Sequence, residues 1–412
     1  MASHHQYWIR LRRQLWQPPR PHGEQPRGRV GGPLELFYDL VVVVLVAQAA
    51  HHLAAHLTGR GLGEFAAVFT LVWIAWLNGT LQHELHSRDD ARGRSTFLLQ
   101  ILVLVPLGAF IPDAGSARGS AFATATGVLF ALLAVLWFLA ARGDQPEYRR
   151  PSHLFVTGTA LCAAVLAASA FLPAGPRVLT WGLTGIAYLA GFTAVIATAT
   201  PVQAAALTMT DALIERFGLL IIIVLGETVT GVVDGLTHTP ANALTLLVAL
   251  VAVLAGFGAW WTYFDFTGHR PPRPARPSTL VWMLTHLPLT AAIAAMGAAM
   301  VSLIEHAHAA HTPTPTAWGL ATSTAIVLGA TALLTTSLHA WHHQPALYRP
   351  LSLTCIATSA LCLGLGIARP TPLVFGLALV ILFGIPWAFA VTHRVTHHDT
   401  ARPGAGASPI TK

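Results

Sequence analysis

The chain has 412 residues, of which 54% are hydrophobic and only 10% charged, with a mean hydropathy of +0.59. Soluble domains carry roughly a quarter charged residues, so soluble enzyme folds, disordered chains and collagen-like repeats are all excluded. The formal charge of +7 is spread over loops and gathers on no single basic element, which argues against a nucleic-acid partner. Cys162, Cys355 and Cys362 lie inside apolar runs without CxxC spacing, so neither a disulfide framework nor a thiolate metal site is expected.

Residues 1–32 are rich in Arg, Pro and Gly and hold no apolar core, so no cleavable signal peptide is expected. Arg10, Arg12 and Arg13 interleave with Trp8, Ile9, Leu11 and Trp16. That pattern suits either a short helix on an anionic leaflet or a plain solvated tail. Then come about twelve runs long enough to span a bilayer: 33–56, 63–83, 95–112, 121–142, 153–173, 177–199, 213–236, 241–266, 278–305, 315–341, 350–368 and 371–392. Residues 396–412 form a second polar tail. With the N-terminus inside, only Arg60, Arg118, Arg177 and Arg369 of the 24 Lys and Arg residues fall outside. The excess of positive charge on the cytoplasmic side therefore supports an even number of spans and places both termini in the cytoplasm of a cell inner membrane.

An internal repeat organises these spans. ELFYDLVVVVLVAQ from Glu35 is matched by ERFGLLIIIVLGET from Glu215, pairing Phe37 with Phe217 and Leu45 with Leu225. In the same order, WIAWLN around Trp76 is matched by GAWWTYF around Trp260, and VPLGA around Pro106 by LPLTA around Pro288. Three matches at nearly constant spacing predict an all-α bundle of two parallel six-span repeats, 33–212 and 213–395. Duplicated membrane architectures commonly hold their substrate or ion sites between the halves.

The two Glu-initiated segments, with WWTYFDF at 260–266 and HLPL at 286–289, make the chain resemble the low temperature requirement A (LtrA) family of bacterial membrane proteins across essentially the whole hydrophobic region. The resemblance implies an integral membrane protein. The family name reports a growth phenotype in the cold and assigns no reaction. One departure follows the second span, where LNGTLQHELHSRDD carries His83, Glu84 and His86 and puts any role for Asp89 or Asp90 in doubt. FYDLVVVV is also faintly similar to the Phe-Ser-Asp opening of a two-repeat, six-span potassium channel family, with Tyr38 in place of the serine.

Ionisable residues at membrane depth cost about 2.5 kcal/mol or more each and rarely persist without a partner, so they are the candidates for chemistry. Glu35 and Asp39 share a helical face at the start of the first span. They serve either to complement the helix dipole or as a cation or proton site paired with Glu215 or Arg216 of the other half. Gln48, and beyond it His51 and His52, make the far end of that span polar as well. In the seventh span Arg216, Glu227 and Asp234 fall on one stripe, with Glu227 near the membrane centre. Glu227 is either a hydrogen-bonded structural residue or a proton relay. Asp265 closes WWTYFDF, whose Trp260, Trp261 and Tyr263 equally suit an interfacial aromatic belt. His286, just before Pro288, either bonds the backbone carbonyl that the proline frees or takes up protons.

Three histidine clusters invite metal: Glu305, His308 and His311; His339, His342 and His343; His393, His397 and His398. Topology divides them between faces, no HExxH or paired ExxH motif occurs, and they read as polar span ends, so no metal ligand and no cofactor is assigned. Walker A, GxGxxG and GxSxG motifs are also missing. Two function classes remain. One is a secondary transporter or channel-like permease for a small solute, cation or proton; the other is a membrane enzyme acting on a lipid-soluble substrate. A track between the two faces would favour the first, and a one-sided pocket the second.

Overall fold

The computed structural model describes residues 15–22, 24, 32–88, 90–206 and 209–400, and the side chains of all of these except 204–206, 394 and 396–400. The proposed tail helix around Arg10, Arg12 and Arg13 lies outside the described residues, as do Asp89 and the side chains of His397 and His398. Among the described residues twelve helices are long and apolar enough to cross a membrane. They are α1 (Pro33–Ala55), α2 (Gly59–His86), α3 (Ala91–Phe110), α4 (Ser120–Ala141), α5 (Pro146–Ala168), α6 (Ala174–Ala197), α7 (Asp211–Thr237), α8 (Ala243–Phe266), α9 (Arg276–Glu305), α10 (Thr314–Ser337), α11 (Pro345–Ala368) and α12 (Pro372–Thr400). Short helices at Pro201–Ala206 and Ala340–His343 join α6 to α7 and α10 to α11. The protein is thus an all-helical, multi-pass membrane protein, because in hydrocarbon only a helix satisfies its own backbone polar groups.

Local sequence sets the helix starts. Thr58, Asp90, Thr210 and Asn242 accept hydrogen bonds from backbone N–H groups in the first turns of α2, α3, α7 and α8. Pro33, Pro146 and Pro345 stand at the first position of α1, α5 and α11, where no N–H is needed. This moves two boundaries away from the hydropathy reading. α5 begins at Pro146 rather than near 153, because Tyr148 and Ser152 are already buried on its inner face while Arg149 and Arg150 are exposed. α11 begins at Pro345 for the same reason, with Leu347 and Tyr348 buried.

Within the first six helices α1 packs on α2 and α3, α3 on α4, α4 on α5, α5 on α6, and α6 back on α2. The same neighbours recur among α7–α12, with α7 on α8 and α9, α9 on α10, α10 on α11, α11 on α12, and α12 on α8. α1 meets α7 and α9 where the two sets join. Burial identifies the centre: the apolar windows of α2, α9 and α10 are 72%, 67% and 67% buried, against 28% for α5. Leu161, Leu250, Leu353 and Ile367 are more than 60% exposed on the outer surface, as expected for side chains that face lipid. The expected equivalence of Phe37 and Phe217 does not extend to environment, since Phe37 is 54% exposed and Phe217 is fully buried.

α7 and α9 approach closely. A Cβ added at Gly231 would lie 2.2 Å from the Gly297 carbonyl oxygen, and one added at Gly297 would lie 2.5 Å from that of Glu227. Gly231 and Gly235 are four residues apart, so they share the face that admits α9. Small residues of this kind let helix backbones meet where no hydrophobic driving force exists.

Candidate functional site

The junction of α1, α2, α7 and α9 holds a buried ion pair. Arg216 donates from Nη2 to Asp39 Oδ1 at 2.8 Å and from Nε to Oδ2 at 3.4 Å. Trp76 of α2 donates its indole N–H to the same Oδ1 at 2.8 Å. Asp39 and Trp76 are fully buried, and Arg216 is among the largest side chains with almost no exposure. The planar guanidinium fork matches the carboxylate, and the indole takes a further lone pair, so both charges are compensated without water.

Aromatic rings seal this pair. Phe217 packs edge-on against Trp76, Trp282 and His286, with ring centroids 5.0, 4.8 and 4.8 Å away. His286 Nδ1 lies 2.6 Å from the Trp282 carbonyl, which can only accept, so Nδ1 carries the proton. Nε2 is then the acceptor for the Tyr263 hydroxyl at 3.0 Å. Proline frees the carbonyl four residues before it, that of Leu284. His286 bonds to the neighbouring carbonyl of Trp282 instead. Tyr263 is 1% exposed and belongs to the core, not to an interfacial belt, whereas Trp260 is 38% exposed.

Glu35 and Asp39 form different ion pairs. Glu35 Oε1 pairs with His83 Nε2 of α2 at 2.8 Å, and both residues are buried. Glu215 is half-buried and does not join the pair, because successive helical residues point about 100° apart. Gln48 is half-buried on α1. The half-buried Asp265 accepts a hydrogen bond from Trp261 Nε1, one turn earlier on its own helix.

Glu227 lies three turns beyond Arg216, on α7. It is 6% exposed, and His51 and Asp234 are the titratable groups that act on it electrostatically. His51 of α1 pairs with Asp234 at 3.2 Å at the far end of the same two helices. A polar station therefore stands toward each end of the α1–α7 contact. Leu220, Ile221 and Val224, none more than 2% exposed, occupy the buried surface of α7 between the stations.

A cavity of about 100 Å³ lies apart from both stations, between α2, α4, α5, α6 and the starts of α7 and α9. Trp137, Phe155, Phe192, Ile196 and Met283 make most of its wall apolar, and Glu84 and Thr210, hydrogen-bonded at 2.8 Å, supply a polar edge. Neither Asp39 nor Glu227 lines it.

Of the residues that the sequence singles out, Asp39, Arg216 and His286 form or adjoin the buried network, while Glu227 stands apart at the second station. Hydropathy missed the partners Trp76, His83 and Tyr263. Their only signals were an indole and a phenol among other aromatic residues of their spans, and a histidine one turn before the end of α2. The histidines of the Glu305 and His339 clusters are exposed.

No curated protein and no solved structure matches the chain. The family model for bacterial low temperature requirement A protein (LtrA) matches residues 31–402, from just before α1 to just past the end of α12, and the chain therefore belongs to the LtrA family.

Proposed function

We propose that this LtrA protein is a secondary transporter or channel-like permease of the inner membrane, linked to a proton or a small cation, with both termini in the cytoplasm. The observation that carries this reading is the Asp39–Arg216 pair, which is fully buried, at membrane depth, and shared between helices of the two six-helix sets. An intramembrane ion pair costs desolvation energy that an apolar pair would avoid, so its presence at a helix junction favours a working role. The recurrence of the same helix neighbours in α1–α6 and α7–α12 supports the reading, because duplicated membrane folds place their sites between halves.

In this mechanism Arg216 holds the carboxylate of Asp39 while the junction is closed. Separation of α1 from α7 frees the carboxylate for a proton or cation. Glu227, with His51 and Asp234, is the second station, and the apolar layer of Leu220, Ile221 and Val224 keeps the two from being hydrated together. The test uses the purified protein in liposomes loaded with a pH-sensitive dye, under an imposed membrane potential. Proton flux above that of empty vesicles, abolished by Glu227→Gln and retained by Phe37→Leu on the lipid face, is expected. Flux equal to empty vesicles, or unchanged by Glu227→Gln, overturns the proposal.

The apolar cavity favours a second reading, an enzyme acting on a lipid-soluble substrate at one face. Turnover of an added membrane lipid extract by the purified protein, lost on Phe192→Trp within the cavity wall, would establish it in place of transport.

A further inference from the structure

A second cluster of titratable side chains lies where the N-terminal segment crosses the end of α2. Arg20 is 4% exposed and donates from Nε to the Ser87 carbonyl at 2.6 Å and from Nη2 to the Glu84 carbonyl at 2.7 Å, so this cation is spent on the C-terminus of α2. Two residues on, His22 stacks on Tyr148, with ring centroids 5.2 Å apart, and meets the edge of His86 at 4.5 Å. His22 Nδ1 lies 2.8 Å from Oδ1 of Asp144, in the connection between α4 and α5, and Ser152 donates to the other carboxylate oxygen at 2.6 Å.

His86 carries the telling detail. Its Nδ1 donates to the Arg20 carbonyl at 2.8 Å, which fixes the tautomer and leaves a lone pair on Nε2. That Nε2 is buried with no hydrogen-bond partner, on a residue only 1% exposed. A buried acceptor without a donor is unfavourable, and a bound cation would use its lone pair. One ligand atom from each of His22, His86 and Asp144 lies within 4.8 Å of the others.

We propose that His22, His86 and Asp144 bind one divalent transition-metal ion of the zinc(II) class. Two imidazoles and a carboxylate are a zinc-type donor set, and three protein ligands leave a fourth position for water or a group in the adjacent cavity, whose wall His22 joins. The supporting bonds match those of known metal sites: a backbone carbonyl orients His86, and a hydroxyl orients Asp144. Burial opposes the charge on Asp144, but the hydrogen bonds from His22 and Ser152 and the nearby imidazole outweigh it and hold the carboxyl down at about 2. Bonds of about 2.0–2.2 Å in a tetrahedral site set ligand atoms roughly 3.4 Å apart, so His22 Nδ1 and Asp144 Oδ1, now 2.8 Å apart, must part slightly to admit the ion. On coordination the Nδ1 proton of His22 leaves to solvent and the lone pair goes to the metal, so one proton is released per ion bound. The ion would staple the N-terminal segment to α2 and to the α4–α5 connection, a role independent of transport.

The test takes the full-length protein in detergent, strips it with a chelator, and titrates it with zinc(II) by calorimetry and with cobalt(II) by visible absorption. One tight equivalent with a tetrahedral cobalt spectrum is expected, weakened at least about tenfold by His22→Gln and by Asp144→Asn. His22 precedes the first helix, so its replacement leaves the bundle intact even where His86→Gln fails to fold. The variant His342→Ala/His343→Ala, in an exposed cluster, should keep the equivalent. A parent protein without a tight equivalent, undiminished affinity in His22→Gln, or loss of the equivalent in the His342/His343 variant overturns the proposal.

Discussion

Arg216 and Asp39 stand 177 residues apart in sequence, yet they face each other through two hydrogen bonds of 2.8 and 3.4 Å with almost no exposure of either side chain. The contact ties α7 to α1 inside the bilayer. Each member neutralises the other, so the energetics of removing one differ from those of removing both.

Asp39→Asn leaves the Arg216 guanidinium buried without a counter-charge and should destabilise the protein by about 3–5 kcal/mol. Replacing both, as Asp39→Leu with Arg216→Met, removes the desolvation cost along with the attraction, and should recover most of that stability while flux stays lost. Thermal unfolding in detergent measures the first effect and the liposome dye assay the second. A double variant less stable than either single one would show that the pair has no special coupling.

Tyr263 and His286 form a second, uncharged coupling within the same core. Tyr263→Phe keeps the ring and removes the hydroxyl that donates to His286 Nε2, at a cost of about 1–3 kcal/mol. His286→Leu should largely erase that penalty, since no acceptor then remains to satisfy. A double-mutant cycle should return a coupling of about 0.5–3 kcal/mol. A cycle that closes to zero would mean that the hydroxyl and the imidazole do not interact in the folded protein.

The twelve spans were legible because each needs some 20 apolar residues, a requirement that hydropathy reads directly. Asp39, Arg216, Glu227 and His286 were legible for the complementary reason, as polar residues in places where they are expensive. Pairing was harder to read. Glu35 and Asp39 are four apart on α1 and look equivalent, but Glu35 goes to His83 and Asp39 to Arg216, a choice made by the packing of α2 and α7. The His22, His86 and Asp144 cluster was illegible because its members come from the N-terminal segment, a span end and a connection. No spacing rule links residues 22, 86 and 144, and only the crossing of the N-terminal segment over α2 brings them together.

The α7–α9 contact tests how much of the junction depends on backbone approach. Gly297→Leu places a side chain where a Cβ alone would already lie 2.5 Å from the Glu227 carbonyl, so the helices must separate. Gly226→Leu, at an exposed position with no atom within 4 Å of an added Cβ, should be tolerated. The first variant should lose folded yield on size-exclusion chromatography and the second should keep it. Equal yields would place the tight helix contact elsewhere.

Orientation is the last expectation. An even number of spans puts both chain ends on one face, and the Arg-rich connections lie on that face: the α2–α3 connection with Arg88, and the start of α5 with Arg149 and Arg150. The opposite face carries Arg60, Arg118, Arg177 and Arg369, and all four are engaged locally, Arg118 with Asp113. Arg60 pairs with Glu64, Arg177 donates to the Leu172 and Ser116 carbonyls, and Arg369 donates to the Thr312 carbonyl. Lys and Arg near span ends resist translocation, so the Arg-rich face should remain in the cytoplasm. A fluorescent protein fused after Lys412 should therefore be bright, and alkaline phosphatase fused there inactive. Phosphatase fused after Pro173, between α5 and α6, should be active. Phosphatase activity at the C-terminal fusion would invert the topology, and with it the assignment of the His22, His86 and Asp144 face to the cytoplasm.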